Sequence, residues 1–267
     1  MLFSIIIPTC NRNDLLGKCL FLLNQQESII DYEVIVTDDG ITNSAKSFVE
    51  EKFPIVRWVE GPKKGPAANR NNGAKFASGE WIIFIDDDCL PDNKLLKNYF
   101  SAISIRNKSQ LVFEGKIIAN REQRRFDEEV PLNLNGGCLW SCNFCIEKNL
   151  FFSIGKFDEK FPYPSMEDAD LYERLAKIHS ISFLNDAVVI HPWRRIIFFN
   201  HFKRRLLSFR YFVRKHYSKS FGSFRISRIK IFIYYLFTDF ILLIRFKFKG
   251  TLYYFEKSIF NFISIFI

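Results

Sequence analysis

The chain has 267 residues, 48% of them hydrophobic, and a formal net charge of +9. That length buries a sizeable core and suits one domain or two closely packed halves. Of six cysteines only Cys138, Cys142 and Cys145 cluster, with no second Cys or His group beside them, so reduced thiols are expected rather than a disulfide scaffold or a zinc site.

The segment from Met1 to Pro8 lacks a basic n-region, and its apolar run is too short for a secretory signal; the active domain is expected in the cytosol. Ser4 to Ile7 reads as a buried strand that ends in the polar turn Pro8-Thr9-Cys10-Asn11-Arg12. Residues 14–26 follow with Leu15, Leu16, Cys19, Leu20 and Leu23 at helical spacing. A second strand, Tyr32 to Val36, ends in Thr37-Asp38-Asp39-Gly40. Strand, helix, strand implies a parallel pair with a right-handed crossover, which brings the polar strand ends to one edge of a sheet.

Lys63 to Arg70 reads as a turn leading into an Ala-containing helix, either an anion-binding helix start or a solvated basic loop. The apolar run Trp81-Ile82-Ile83-Phe84-Ile85 then delivers Asp86, Asp87 and Asp88 together at a strand end, where open α/β sheets place their ligands. Three adjacent carboxylates repel one another, and a divalent cation with hard oxygen ligands would hold them. The alternative is a solvated acidic turn before a helix.

Taken together, Pro8-Thr9-Cys10-Asn11-Arg12, Val34 to Gly40, Ala68-Asn69-Arg70-Asn71-Asn72-Gly73 and Asp86-Asp87-Asp88 with Pro91 resemble the successive signatures of family 2 glycosyltransferases over residues 2–195. The resemblance implies an α/β GT-A fold, a mostly parallel twisted sheet with flanking helices, and inverting sugar transfer from a nucleoside diphosphate aided by Mg²⁺ or Mn²⁺. It divides residues 1–195 into a nucleotide-sugar-binding half, 1–92, and an acceptor-binding half, 93–195. By the same resemblance Asp39 bonds the base, with Pro8, Thr9 and Asn11 in the loop around it. Arg70 contacts the nucleotide, Asp86 and Asp87 lie at the donor, and Asp88 binds the metal. Cys10 stands where the family often has an aromatic residue.

Further along, Gly155-Lys156-Phe157-Asp158-Glu159 and Met166-Glu167-Asp168 resemble the acceptor-side signature of that family. Inversion requires a base to take the proton of the attacking hydroxyl, a task for a positioned carboxylate. Asp168 is the choice and Glu167 the reserve; Ser165 to Asp168 also fits a helix capping box. Asp170 and Arg174, four apart, read as a surface pair. His191 follows the strand-like Ala187 to Ile190, at the place where the family often has a His that completes the metal site. An Asp and His set suits Mn²⁺ better than Mg²⁺. Arg194 and Arg195 next to it are candidates to neutralise the diphosphate leaving group.

Residues 1–190 hold 22 basic and 27 acidic residues and residues 191–267 hold 16 and 2, so the positive excess lies in the tail. Residues 196–267 are expected to form a basic, apolar helical region. Phe198, Phe199, Phe202, Leu206, Phe209 and Val213 recur at helical spacing amid Lys and Arg, as in an interfacial membrane helix or a helix packed on the catalytic domain. Ile231 to Ile244 and Thr251 to Ile267 each fall short of the ~20 apolar residues a span needs, so they are expected to lie in the interface or to pack as a hairpin. Basic flanks favour the anionic cytoplasmic leaflet.

The expected function is therefore a glycosyltransferase peripheral to the inner face of the cytoplasmic membrane. It would use a nucleotide-sugar, UDP before GDP, and a glycan or lipid-linked acceptor in surface-polysaccharide or lipopolysaccharide synthesis. Alternatives are a metal-dependent nucleotidyltransferase on a related α/β fold and a non-catalytic basic membrane binder. No base-reading motif accompanies the basic tail, and nucleic acid is not an expected partner.

Overall fold

Every residue of strand β1 (Phe3–Thr9) is buried, which a strand achieves only when both sheet faces are covered. The computed structural model, which describes residues 1–27, 30–196, 202–218 and 221–267, shows how. After β1 come α1 (Asn13–Leu23), β2 (Tyr32–Asp38), α2 (Lys46–Lys52), β3 (Arg57–Glu60), α3 (Pro66–Lys75) and β4 (Trp81–Phe84). The second half adds β5 (Leu90–Pro91), α4 (Leu95–Ile105), β6 (Val112–Ala119), β7 (Glu128–Glu129), β8 (Phe144–Glu147), α5 (Lys148–Ser153), α6 (Glu167–Leu175) and β9 (Ile181–His191). The chain closes with β10 (Arg194–Arg195), α7 (Phe202–Tyr217), α8 (Phe221–Arg245) and α9 (Thr251–Ile263).

These elements fall into two units: residues 1–120, 131–159 and 167–192, and residues 121–130, 160–166 and 193–267. The first is built on an eight-stranded sheet of order β3-β2-β1-β4-β8-β6-β9-β5. Strands β1 to β4 run parallel, with Phe3 to Thr9 in register with Tyr32 to Asp38, and Phe3 to Ile6 in register with Trp81 to Phe84. β8 is antiparallel to both β4 and β6, β6 and β9 are parallel, and β5 is antiparallel to β9, so the expected mostly parallel sheet is mixed in its second half.

Alternate residues of β1 feed two cores, as the period of 2 requires. Ile5 and Ile7 join Leu16, Leu20, Leu95 and Tyr99 on the face covered by α1 and α4. Ile6 joins Phe84, Phe144, Phe151, Phe157 and Leu171 on the face of α5 and α6. The register carries Thr9, Asp38 and the residues after Phe84 to the same edge.

One expected pairing takes a different form. Asp170 is fully buried, and Arg174 reaches it at 2.9 Å while donating to Ile154 O and Lys156 O, each at 2.6 Å. Apolar spacing places α6 face-down on the core, so this pair clasps the α5 terminus instead of lying on the surface. Buried Glu114 ties a second loop, accepting from the N–H groups of Gly137, Cys138 and Leu139 and from Asn133 Nδ2.

In the second unit β7 and β10 form a short antiparallel ladder, and α7, α8 and α9 pack together. Asp127 accepts from Arg125 and Arg195. Gly250 enters α9 at φ +104, where a Cβ would meet Asp127 N at 2.6 Å, so the α8–α9 turn can seat on residues 126–127 only with glycine there. Within this unit the apolar face of α7 is buried against α8 and α9. Phe209, Phe212 and Val213 are buried, and the Phe209 ring lies 5.6 Å from that of Phe260 and 6.2 Å from that of Phe224. Phe198 and Phe199 lie outside the described residues. Among the described residues no helix is long and apolar enough to cross a membrane; α8 and α9 instead pack as a hairpin.

Candidate active site

Two carboxylates at the end of β2 are used differently. Asp38 is consumed by the fold, accepting from the N–H groups of Gly40 and Ala45, from Ser44 Oγ and from Trp58 Nε1. Asp39 accepts from Lys63 N at 2.7 Å and Gly65 N at 3.2 Å, shaping the turn that opens α3; burial pushes its carboxyl up against those two hydrogen bonds. Asn11, at φ 55, caps the facing loop by accepting from the N–H groups of Ile41, Thr42 and Asn43. Pro8 sits opposite Thr37, and Thr9 Oγ1 donates to Asp87 Oδ2 at 2.7 Å.

The three acids after β4 meet three different partners. Asp86 Oδ1 receives Arg70 Nη2 at 2.7 Å, and Arg70 Nη1 lies 3.4 Å from Glu167 Oε1 on α6. Asp87 Oδ1 lies 2.8 Å from Arg12 Nη2, while Asp88 Oδ2 lies 3.4 Å from Arg12 Nη1 and its Oδ1 3.4 Å from His191 Nε2. Five carboxyls, those of Asp86, Asp87, Asp88, Glu167 and Asp168, thus share two guanidiniums.

The imbalance shows in the titration. Burial, opposed by Arg12 and by the Thr9 hydroxyl and reinforced by Asp88 and Asp86, pushes Asp87 up to about 7. Burial and the neighbouring Asp168 charge push Glu167 up to about 7 against the pull of Arg70. Asp168 is raised by burial as well. Arg70 is held protonated: burial alone would lower it, but Asp86 and Glu167 raise it further. Glu167 Oε2 and Arg70 Nε are buried without a hydrogen-bond partner among the described residues.

The residues fit a divalent cation. His191 is fully buried, and its Nδ1 lies 2.8 Å from Pro192 O, an atom that only accepts. Nδ1 therefore carries a proton, which leaves Nε2 to face Asp88 Oδ1 at 3.4 Å. In its neutral form the ring offers the Nε2 lone pair beside the Asp88 carboxylate, a donor set that suits a divalent cation. Ligand atoms of Asp88, Cys89 and His191 lie within 4.8 Å of one another.

The structure thus brings together Thr9, Arg70, Asp86, Asp87, Asp88, Glu167 and His191, and ties Arg195 to Asp127 in the other unit. Sequence reading missed Arg12 as a partner of the acid triplet and the buried Cys89 thiol beside Asp88 and His191. The register of β1 with β4 carries the Arg12 signal, because a basic residue just past one strand end faces the acids past the next.

A family model for glycosyl transferase family 2 matches residues 4–139. The chain belongs to this family. It is 39% identical over 123 residues to a poly(ribitol-phosphate) beta-glucosyltransferase of Bacillus spizizenii, covering 44% of this chain and 19% of that protein. It is 38% identical over 90 residues to a GalNAc(5)-diNAcBac-PP-undecaprenol beta-1,3-glucosyltransferase of Campylobacter jejuni, covering 32% of this chain and 29% of that protein. The chain thus spans less than a third of either relative. The crystal structure of S. aureus TarS 1-349 in complex with UDP-GlcNAc superposes with a TM-score of 0.58 at 22% identity, over 80% of this chain and 67% of that one. The likeness shows a GT-A fold.

Proposed function

We propose that this chain transfers a sugar, with inversion, from a UDP-linked donor to a hydroxyl of a glycan or lipid-linked acceptor in cell-surface polysaccharide synthesis. The observation that carries the reading is the Asp86–Asp87–Asp88 cluster, set against Arg12, Arg70 and His191 at the carboxyl edge of a GT-A sheet. The Bacillus and Campylobacter relatives, named for polymer and polyprenol-diphosphate acceptors, and the UDP-GlcNAc complex of TarS support the substrate classes.

In this account residues 1–195 form the catalytic domain. Asp88 and His191 would hold a Mn²⁺ or Mg²⁺ ion, which would offset the charge of the donor diphosphate. Pro8, Thr9, Asn11 and Asp39 frame the base, and Asp86 and Asp87 the ribose side. Arg70 keeps Asp86 and Glu167 apart in charge and together in space. Asp168, at the start of α6, takes the proton of the acceptor hydroxyl as its oxygen attacks the anomeric carbon and the nucleoside diphosphate departs. The basic, apolar region 196–267 holds the domain at the anionic inner face of the cytoplasmic membrane.

The test is release of nucleoside diphosphate from a panel of UDP-, GDP- and dTDP-sugars, with Mn²⁺ and with EDTA. Turnover of a UDP-sugar that EDTA abolishes is the expected result. A chain that turns over none of these donors while binding them would overturn the transfer reading.

A further inference from the structure

The α8–α9 hairpin buries one side and exposes the other, and the two sides differ in kind. Inward, Leu243, Tyr253, Tyr254 and Phe126 make a small core, and the hairpin's acids are both spent there: Asp239 pairs with Lys257 at 2.9 Å, and Glu256 is buried. Outward, Ile226, Ile229, Ile233, Phe237, Phe240 and Ile244 recur every three or four residues along α8, each more than a third exposed, as helical spacing stacks them on one face. Leu252, Phe255, Ile259 and Phe262 repeat the pattern on α9. Phe240 and Phe262 stand at the seam, their rings 6.1 Å from Tyr254 and 5.7 Å from Phe232, so the two stripes adjoin.

A half-exposed aromatic leaves about 100 Å² in water and a half-exposed Ile or Leu somewhat less, so the four aromatic and six aliphatic side chains present roughly 800 Å², beyond the largest apolar patch of an ordinary monomer. The stripe from Ile226 to Ile244 is about 27 Å long at the helical rise, yet neither helix can span. Its ends are basic and exposed: Arg225 and Lys230 at one, Arg245, Lys247 and Lys249 in the turn at the other. With both acids buried, the face carries positive charge alone. That charge repels a second copy and complements an anionic one.

We propose that the outer face of the α8–α9 hairpin lies in the interfacial layer of an anionic membrane, its apolar stripe among the acyl chains and its basic ends at the headgroups. The inference rests on the membrane-surface part of the reading above. It moves the contact from α7, whose Phe face is buried, to a monotopic hairpin.

The experiment uses the full chain with vesicles of phosphatidylcholine alone or with 30% phosphatidylglycerol, read by cosedimentation. The expected result is binding to the anionic vesicles that survives 0.5 M NaCl in large part. The double variant Phe237→Glu/Ile241→Glu should bind at least 10-fold more weakly, with unchanged circular dichroism and donor turnover, since both side chains are 65% exposed. A Phe237→Trp variant should be quenched by brominated acyl chains. Equal binding by the double variant, or complete release of the wild type by salt, overturns insertion of this face while leaving a membrane-surface contact standing. A lipid-free dimer abolished by the same double variant, with no vesicle binding, assigns the face to a second copy and overturns the proposal. Donor turnover, measured in parallel without vesicles, reports separately on the glycosyltransferase reading.

Discussion

The guanidinium of Arg70 lies 3.4 Å from the Glu167 carboxylate, joining α3 to α6, the helix that carries Asp168. The same guanidinium holds Asp86 at 2.7 Å, so one buried cation links the acid after β4 to the acid that opens α6. Removing one partner of such a group leaves uncompensated charge in the interior, at a cost of about 3–5 kcal/mol. Arg70→Met should therefore lower the melting temperature by roughly 10 °C for a domain of this size. A melting temperature within a degree of the wild type would show that Arg70 serves a ligand rather than the fold.

Arg12 occupies the acid triplet where the proposed cation would bind. Its two terminal nitrogens sit on Asp87 and Asp88, and the side chain is 41% exposed, so it can leave without opening the core. Arg12→Met should tighten Mn²⁺ binding, measured by calorimetry without nucleotide, by several-fold. Weaker Mn²⁺ binding in that variant would mean that Arg12 organises the acids for the ion instead of competing with it.

The Glu167–Asp168 pair predicts a pH profile. Burial raises Glu167 to about 7, and Asp168 moves in the same direction. Because the folded-state value exceeds the unfolded one, the stability this group contributes is complete below the ordinary carboxylate range and is lost as pH rises through about 7. Proton abstraction needs the ionised form, so kcat should climb over the same interval and level off above it. A kcat independent of pH between 5.5 and 8.5, with chemistry rate-limiting, would contradict a base in this pair.

Asp168→Asn separates the base from the binding site. Donor KM should hold while kcat falls by on the order of 10²-fold or more. If Glu167→Gln shows that pattern and Asp168→Asn does not, the roles of the two neighbours are exchanged.

Much of the first 92 residues was legible because period-2 and period-3.6 patterns there are clean: β1, β2, β4 and α1 fall where their apolar spacing puts them, and their polar ends converge. Asp170 and Arg174 were misread because i,i+4 spacing gives no sign of which way a helix faces; the core decides that through Leu171 and Leu175. Arg12 went unassigned because its partners lie 75 and 76 residues away, visible only once β1 and β4 pair in register. The α7 stripe was real, but its partners Phe224 and Phe260 come from α8 and α9, whose own apolar residues exceed what one buried face can take.

The most direct test of the account is NMR of a reaction with UDP-sugar, acceptor and Mn²⁺, ³¹P for the phosphorus product and ¹H for the glycoside, run for the wild type and for Asp88→Asn. The account predicts UDP as the phosphorus product of the wild type, an inverted anomeric proton coupling in the glycoside, and loss of both in Asp88→Asn with its fold intact. Pyrophosphate among the products, or full metal-dependent UDP release by Asp88→Asn, would contradict it.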